Sequence, residues 1–184
     1  ILHRALSAGD YSAGTVQPTD SPSMDIQVSS NFERLLFDLA GRDGAALNAR
    51  MAEFEATKRM VLPEDQRAAA ARLFTSAAID SAEMADTMRW ALAHTGELLD
   101  PHTAIGLAAA RRDNGHEPMV TLATAHPAKF PAAVEAACAI TPQLPARLAD
   151  LMTRPERYDV APARLQEIEA HIAARAISRP SGAQ

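Results

Sequence analysis

The stretch that decides the reading is Thr121–Phe130, "TLATAHPAKF". Its first half completes the apolar run "MVTLAT" (119–124), which reads as a short buried strand. The following "PAKFPAAVEAACA" (127–139) reads as a helix with proline in its first turn. Between them stand Thr124, His126 and Lys129, a hydroxyl, an imidazole and an ammonium at a strand-to-helix corner. In α/β sheets, ligands bind outside the carboxyl ends of strands. A solvated turn could hold any one of these residues, whereas a ligand site could use all three.

Working upstream, "LLDPHTAIG" (98–106) puts Asp100, His102 and Thr103 at the start of another helix. Asp100 before proline has the form of an N-cap. Free backbone N–H groups at such an end also favour an anion. Further upstream, "SPSMDIQVSSNFER" (21–34) is a third polar segment on an Ala-rich scaffold, and it supplies Ser29, Ser30, Asn31 and Arg34.

The surrounding chain supports a globular reading. Its 184 residues are 47% hydrophobic and 22% charged, with only 4% aromatic, so the core is built from Ala, Leu, Ile, Val and Met. The net charge is −5, and the 16 Arg and two Lys (Lys58, Lys129) are scattered among acids. That distribution argues against nucleic acid as a partner. No apolar stretch approaches the roughly 20 residues that span a bilayer, which argues against a membrane partner. The single cysteine, Cys138, precludes an internal disulfide and fits a buried thiol in a reducing, cytoplasmic setting. The chain opens without Met on "ILHRALSAGDYS", already helical in pattern, and is expected to be cut from a longer protein.

Local signals predict many helices. "ILHRAL" (1–6) is a helical scrap, and residues 7–24 form a long polar loop. A helix opens at Ser30 and Glu33 with capping-box spacing, buries Phe32, Leu35, Leu36 and Leu39, and stops near Gly41. Helices follow over 45–61, with Leu47, Met51, Phe54 and Lys58 one turn apart, and over 63–74. "TSAAI" (75–79) reads as a short strand. Asp80 and Glu83 open a helix that ends at Gly96, and residues 101–112 form the next. Two more are expected near 143–153 and 161–176, the last lined by Leu165, Ile168 and Ile172, before a frayed "SRPSGAQ". Many helices with few strands suggest a lobe of a larger α/β protein.

Common catalytic signatures are absent. The six histidines (3, 94, 102, 116, 126, 171) show no ligand spacing, and there is no HExxH or cysteine cluster, so no metal is expected. GxSxG, GxGxxG and Walker patterns are also missing.

Taken together, "ILHRALSAGDYS", "SPSMDIQVSSNFERLLF", "LLDPHTAIG" and "TLATAHPAKFPAAVE" resemble the carboxyl-terminal part of threonine synthase, in its longer bacterial and fungal class. The similarity runs from residue 1 to about 155 and is weaker over 40–75. The resemblance implies an α/β, helix-rich carboxyl-terminal lobe of the tryptophan-synthase-β-like fold, type II among enzymes of pyridoxal 5'-phosphate (PLP). Residues 1–156 would belong to the catalytic domain, and 157–184 would be a closing amphipathic helix and tail. The implied reaction converts O-phospho-L-homoserine and water to L-threonine and phosphate.

In this fold type a neutral hydroxyl meets the pyridine nitrogen, within a motif T-(G/A)-H-x-x-K that "TAHPAK" matches, which maps the role onto Thr124. His126 and Lys129 follow as candidates for the substrate phosphate, with Ser29, Ser30, Asn31, Arg34, Asp100, His102 and Thr103 as further substrate-binding candidates. The family's Schiff-base lysine and PLP-phosphate loop lie upstream of the segment matching residues 1–10, and neither Lys58 nor Lys129 sits in such a context. The amino-terminal part of the same enzyme is therefore the implied partner, and this chain alone is expected to be inactive. Two other readings stay open from the residues: a stand-alone binding remnant of the lobe, and another type II PLP enzyme such as a dehydratase.

Overall fold

The computed structural model describes residues 1–113, 115 and 117–176. Two compact units divide the chain, residues 1–143 and 144–184.

Among the described residues, the first unit contains seven α-helices: α1 (Leu2–Ala8), α2 (Phe32–Leu39), α3 (Gly44–Thr57), α4 (Glu64–Ala71), α5 (Ser81–Thr95), α6 (Pro101–Arg111) and α7 (Pro131–Cys138). They bury two separate apolar clusters. Tyr11 sits at the centre of one, at 2% exposure, with Ala5 from α1, Phe32 and Leu36 from α2, Leu47 and Phe54 from α3, and Met60 and Leu62. The Tyr11 ring stacks on Phe32 and tilts against Phe54, at centroid distances of 4.8 and 5.2 Å. The other cluster joins Met84 and Met88 of α5, Ala104 of α6, and Val134 and Ala137 of α7. Arg89 on α5 fastens that second group by donating to the Ala137 carbonyl at 3.1 Å. Cys138 lies half-buried beside it, and burial pushes its thiol pKa up, away from the reactive thiolate.

Local signals located α5 and α6 well, whereas the expected 45–61 helix ends at Thr57, with Lys58 beyond it at φ 58°, and the expected 63–74 helix ends at Ala71. Asp43, Asp80 and Asp100 cap α3, α5 and α6 by accepting backbone N–H bonds. Gly96 ends α5 in the left-handed conformation, φ 75°. Gly9 does the same for α1, at φ 78°, and a Cβ there would lie 3.3 Å from the Leu62 carbonyl oxygen. That close approach belongs to a short antiparallel seam: the N–H groups of Tyr11 and Ala13 donate to Met60 and Lys58, and that of Leu62 donates to Gly9. The first residues of the expected 7–24 loop are therefore backbone-paired.

Several expectations are corrected. Among the described residues there is no strand, only the isolated bridge Asp10–Val61. "TSAAI" runs without pairing. "MVTLAT" is unpaired too, and Met119, Val120 and Leu122 are 56, 79 and 75% exposed. An extended apolar run becomes a strand only where another backbone meets its N–H and C=O groups, and the described residues offer none. Ser30 and Glu33 form no capping box; α2 starts at Phe32 without a side-chain cap. The expected 127–139 helix is a 3₁₀ turn, Pro127–Lys129, then α7, broken at Phe130.

The second unit holds 3₁₀ turns at Ala146–Leu148 and Leu151–Thr153 where one helix was expected, and α8 (Leu165–Arg175). Leu165, Ile168 and Ile172 are exposed on α8. The expected fraying of the last residues falls beyond 176, outside the described residues.

Candidate functional site

The site is built outward from Asp100. Leu98 and Leu99 pack on the α5–α7 cluster and carry the chain to the start of α6. Proline at the first helical position needs no partner for a missing N–H. The Asp100 side chain is fully buried. Its Oδ1 accepts from the His102 N–H at 2.9 Å and from His102 Nδ1 at 3.0 Å; its Oδ2 accepts from the Thr103 N–H at 3.3 Å and from the Thr103 hydroxyl. A buried carboxylate is costly unless its lone pairs are used, and four donors use them here. The carboxylate also occupies the place at this helix N-terminus that an outside anion would take.

His102, 5% exposed, carries the arrangement to a distant segment. The backbone N–H of Ser23 donates to His102 Nε2 at 3.2 Å. A backbone amide can only donate, so Nε2 is the acceptor and Nδ1 bears the ring hydrogen that goes to Asp100. The imidazole also lies against Phe130, ring centroids 4.5 Å apart. Ser23 belongs to the 3₁₀ turn Pro22–Met24, which is steadied by Thr19: its N–H and hydroxyl both donate to Asp25, at 2.8 and 2.7 Å.

Thr103 makes the second link. Its Oγ1 accepts from the Thr124 N–H at 3.0 Å and lies 3.4 Å from Thr124 Oγ1. Gly106, one turn further along α6, faces the same run, where a Cβ would make ordinary contact with Thr121 Cγ2 at 3.5 Å. Three of the singled-out segments, around residues 23, 100–103 and 124–130, therefore meet in one place.

Beyond Thr124 the corner opens to solvent. Thr124, His126 and Lys129 are all exposed. His126 caps the 3₁₀ turn, its Nδ1 accepting from the Ala128 N–H at 3.2 Å, so the ring hydrogen of the neutral tautomer lies on Nε2. Lys129 Nζ lies 5.3 Å from the Phe130 ring centroid. Among the described residues it makes no ion pair.

The Ser29–Arg34 segment is placed elsewhere. Ser29 is tied to Tyr11, whose phenol accepts the Ser29 N–H at 2.7 Å and donates to the Ser29 carbonyl at 3.1 Å. Ser30, Asn31 and Arg34 line an open cleft of about 610 Å³ with Glu33, Asp38 and Arg42. Arg42 pairs with Asp38 at 2.9 Å. Among the described residues no hydrogen bond joins this cleft to the Asp100–Thr124 cluster. Nor does any group of three or more His, Cys, Asp or Glu there form a metal site.

Sequence reasoning missed two participants. Ser23 contributes a backbone amide, which no side-chain pattern reveals. Phe130 was visible as one of few aromatics, directly after Lys129, and its ring now backs His102.

The family model described as "Threonine synthase, C-terminal" matches residues 103–172. Threonine synthase of Pseudomonas aeruginosa is 48% identical over 175 residues, covering 94% of this chain and 37% of that protein. The Corynebacterium glutamicum threonine synthase is 34% identical over 180 residues, again 94% of this chain and 37% of the relative. Among solved structures, PLP-bound threonine synthase from Brucella melitensis superposes with a TM-score of 0.81 at 46% identity, over 95% of this chain and 38% of that one. The yeast threonine synthase superposes with a TM-score of 0.75 at 30% identity, over 94% and 39%. The chain thus spans somewhat more than a third of the length of these relatives.

Proposed function

We propose, for a chain that belongs to the threonine synthase family and corresponds to its carboxyl-terminal part, that it supplies one wall of a PLP site. The reaction served there is conversion of O-phospho-L-homoserine and water to L-threonine and phosphate. The observation that carries this reading is the corner at 124–129. A hydroxyl, an imidazole and an ammonium stand exposed there on a backbone held from behind by buried, satisfied polar groups.

The donor set suits the cofactor. A pyridine nitrogen facing Thr124 would meet a neutral hydroxyl. The carboxylate linked to it through Thr103, Asp100, is buried with its lone pairs occupied. PLP, when bound, supplies the electron sink for carbanion chemistry. This chain's residues do the rest of the work on their side: Thr124 orients the ring, and His126 and Lys129 offer a donor and a positive charge to the doubly charged substrate phosphate. Asp100, His102 and Thr103 hold that corner in place, and Ser29, Ser30, Asn31 and Arg34 border a neighbouring cleft as secondary candidates. The lysine that anchors PLP and the loop that binds its phosphate come from the amino-terminal part of the enzyme, in the cytoplasm. No described helix is long and apolar enough to cross a membrane.

The test is phosphate release from O-phospho-L-homoserine by the complete enzyme, with threonine identified as product. PLP-dependent release with matching threonine supports the reading. A PLP-dependent deamination of serine or threonine without phosphate release would replace it with a dehydratase.

A further inference from the structure

The connection from Asp100 through Thr103 to Thr124 is more than a helix cap. Asp100 Oδ1 serves His102 alone, and Oδ2 serves Thr103 alone. The Thr103 hydroxyl has one hydrogen, and it goes to Oδ2. Its oxygen is then only an acceptor, taking the Thr124 N–H at 3.0 Å. In the 3.4 Å contact between the two hydroxyls, Thr124 is consequently the donor. The Thr124 backbone is fixed by a single atom, and that atom is fixed by a buried charge; the 3.4 Å hydroxyl contact is long, so the Thr124 hydrogen is free to leave it for a ring nitrogen. A cap needs only the backbone contacts to Asp100; the side-chain arm of Thr103 is surplus to capping and points at the candidate site.

We propose that Thr103 is a positioning residue: anchored by Oδ2 of Asp100, it sets the direction in which Thr124 presents its hydroxyl to the cofactor ring. The proposal rests on the reading of Thr124 given above. Thr103 touches neither cofactor nor substrate and acts only through Thr124.

Four variants of the complete enzyme, loaded with PLP, test it, with Thr124→Val as the reference for loss of the site hydroxyl. Thr103→Val keeps the volume and removes the hydroxyl. Asp100→Asn, in the orientation that keeps Oδ1 for His102, turns an NH₂ group toward Thr103: it strands the Thr103 N–H, removes the anchoring charge and reverses the bond to the Thr103 hydroxyl, loosening the same arm by a different route. Thr103→Ser keeps the hydroxyl. The readouts are the near-visible absorbance band of bound PLP and its pH dependence, PLP affinity, kcat/KM and the melting temperature. Thr103→Val and Asp100→Asn should displace the band in the same direction as Thr124→Val and lower kcat/KM about tenfold, and Thr103→Ser should restore both. A folded Thr103→Val with the parent band and kinetics, beside an impaired Thr124→Val, would overturn the positioning role and leave Thr124 in place. A silent Thr124→Val would overturn the cofactor reading itself. If neither Thr103→Val nor Asp100→Asn folds, the arm serves stability alone and the proposal fails.

Discussion

Two neighbouring corners of this molecule carry nearly the same chemistry and use it in opposite ways. The start of α6 has a carboxylate, an imidazole and a hydroxyl, at Asp100, His102 and Thr103, and all three are buried and mutually bonded. The 124–129 corner has a hydroxyl, an imidazole and an ammonium, and all three are exposed. In the first, each polar atom is consumed by the fold, so removing one leaves others stranded. In the second, the side chains add little to stability and remain available to a ligand. Residue type alone would not separate scaffold from recognition surface, whereas burial and partner count do.

The largest expected effect is at Asp100. Asp100→Ala strands two backbone N–H groups, the His102 ring N–H and the Thr103 hydroxyl, and should cost about 3 kcal/mol or more of stability. Thermal denaturation of the complete enzyme measures it. A change below about 1 kcal/mol would erase the distinction between the two corners. Lys129→Ala should do the reverse: unchanged melting, and a loss of roughly ten- to hundredfold in kcat/KM for O-phospho-L-homoserine, the worth of a charge-assisted contact. Unchanged kinetics would return Lys129 to the solvent.

The same contrast explains what could be read in advance. Asp80, Gly96, Asp100 and Pro101 act on their own helices, so neighbouring residues in the sequence were enough to place them. The contacts that assemble the site are separated along the chain. Ser23 and His102 are 79 residues apart, and Thr103 and Thr124 are 21 apart. Pattern located His102, Thr103 and Thr124 as polar residues at element ends, without showing that they meet, and it missed the Ser23 amide. The apolar run 119–124 misled for a related reason. Alternation and apolarity describe what a strand could bury, while the pairing backbone is a property of the rest of the fold, and Val120 and Leu122 find none among the described residues.

A pH measurement sharpens the comparison at a third buried polar group. Burial raises the Tyr11 phenol pKa above its ordinary value near 10. The folded state thus prefers the neutral phenol. Its contribution is complete below the unfolded pKa and is lost as pH rises from there through the folded pKa. Stability should decline above about pH 10, and Tyr11→Phe should flatten that decline. The same substitution should also cost about 1–2 kcal/mol at neutral pH, by freeing the Ser29 N–H and carbonyl. An undiminished alkaline slope in the variant would assign the effect to another group.

The smallest effect is expected at Arg34. It lines the open cleft away from the Thr124 corner, so Arg34→Ala should leave stability within about 0.5 kcal/mol and raise KM by less than about threefold. A larger rise in KM would move the substrate phosphate toward residues 29–34.

The central claim is that the exposed hydroxyl of Thr124, steadied from behind by Thr103 and Asp100, faces the cofactor. A crystal structure of the complete enzyme with PLP tests it most directly. The account predicts Thr124 Oγ1 within about 3.2 Å of the pyridine nitrogen, with the Thr103 contact to the Thr124 N–H retained. A ring nitrogen met by a carboxylate, or a Thr124 hydroxyl beyond about 4 Å and turned away, would contradict it.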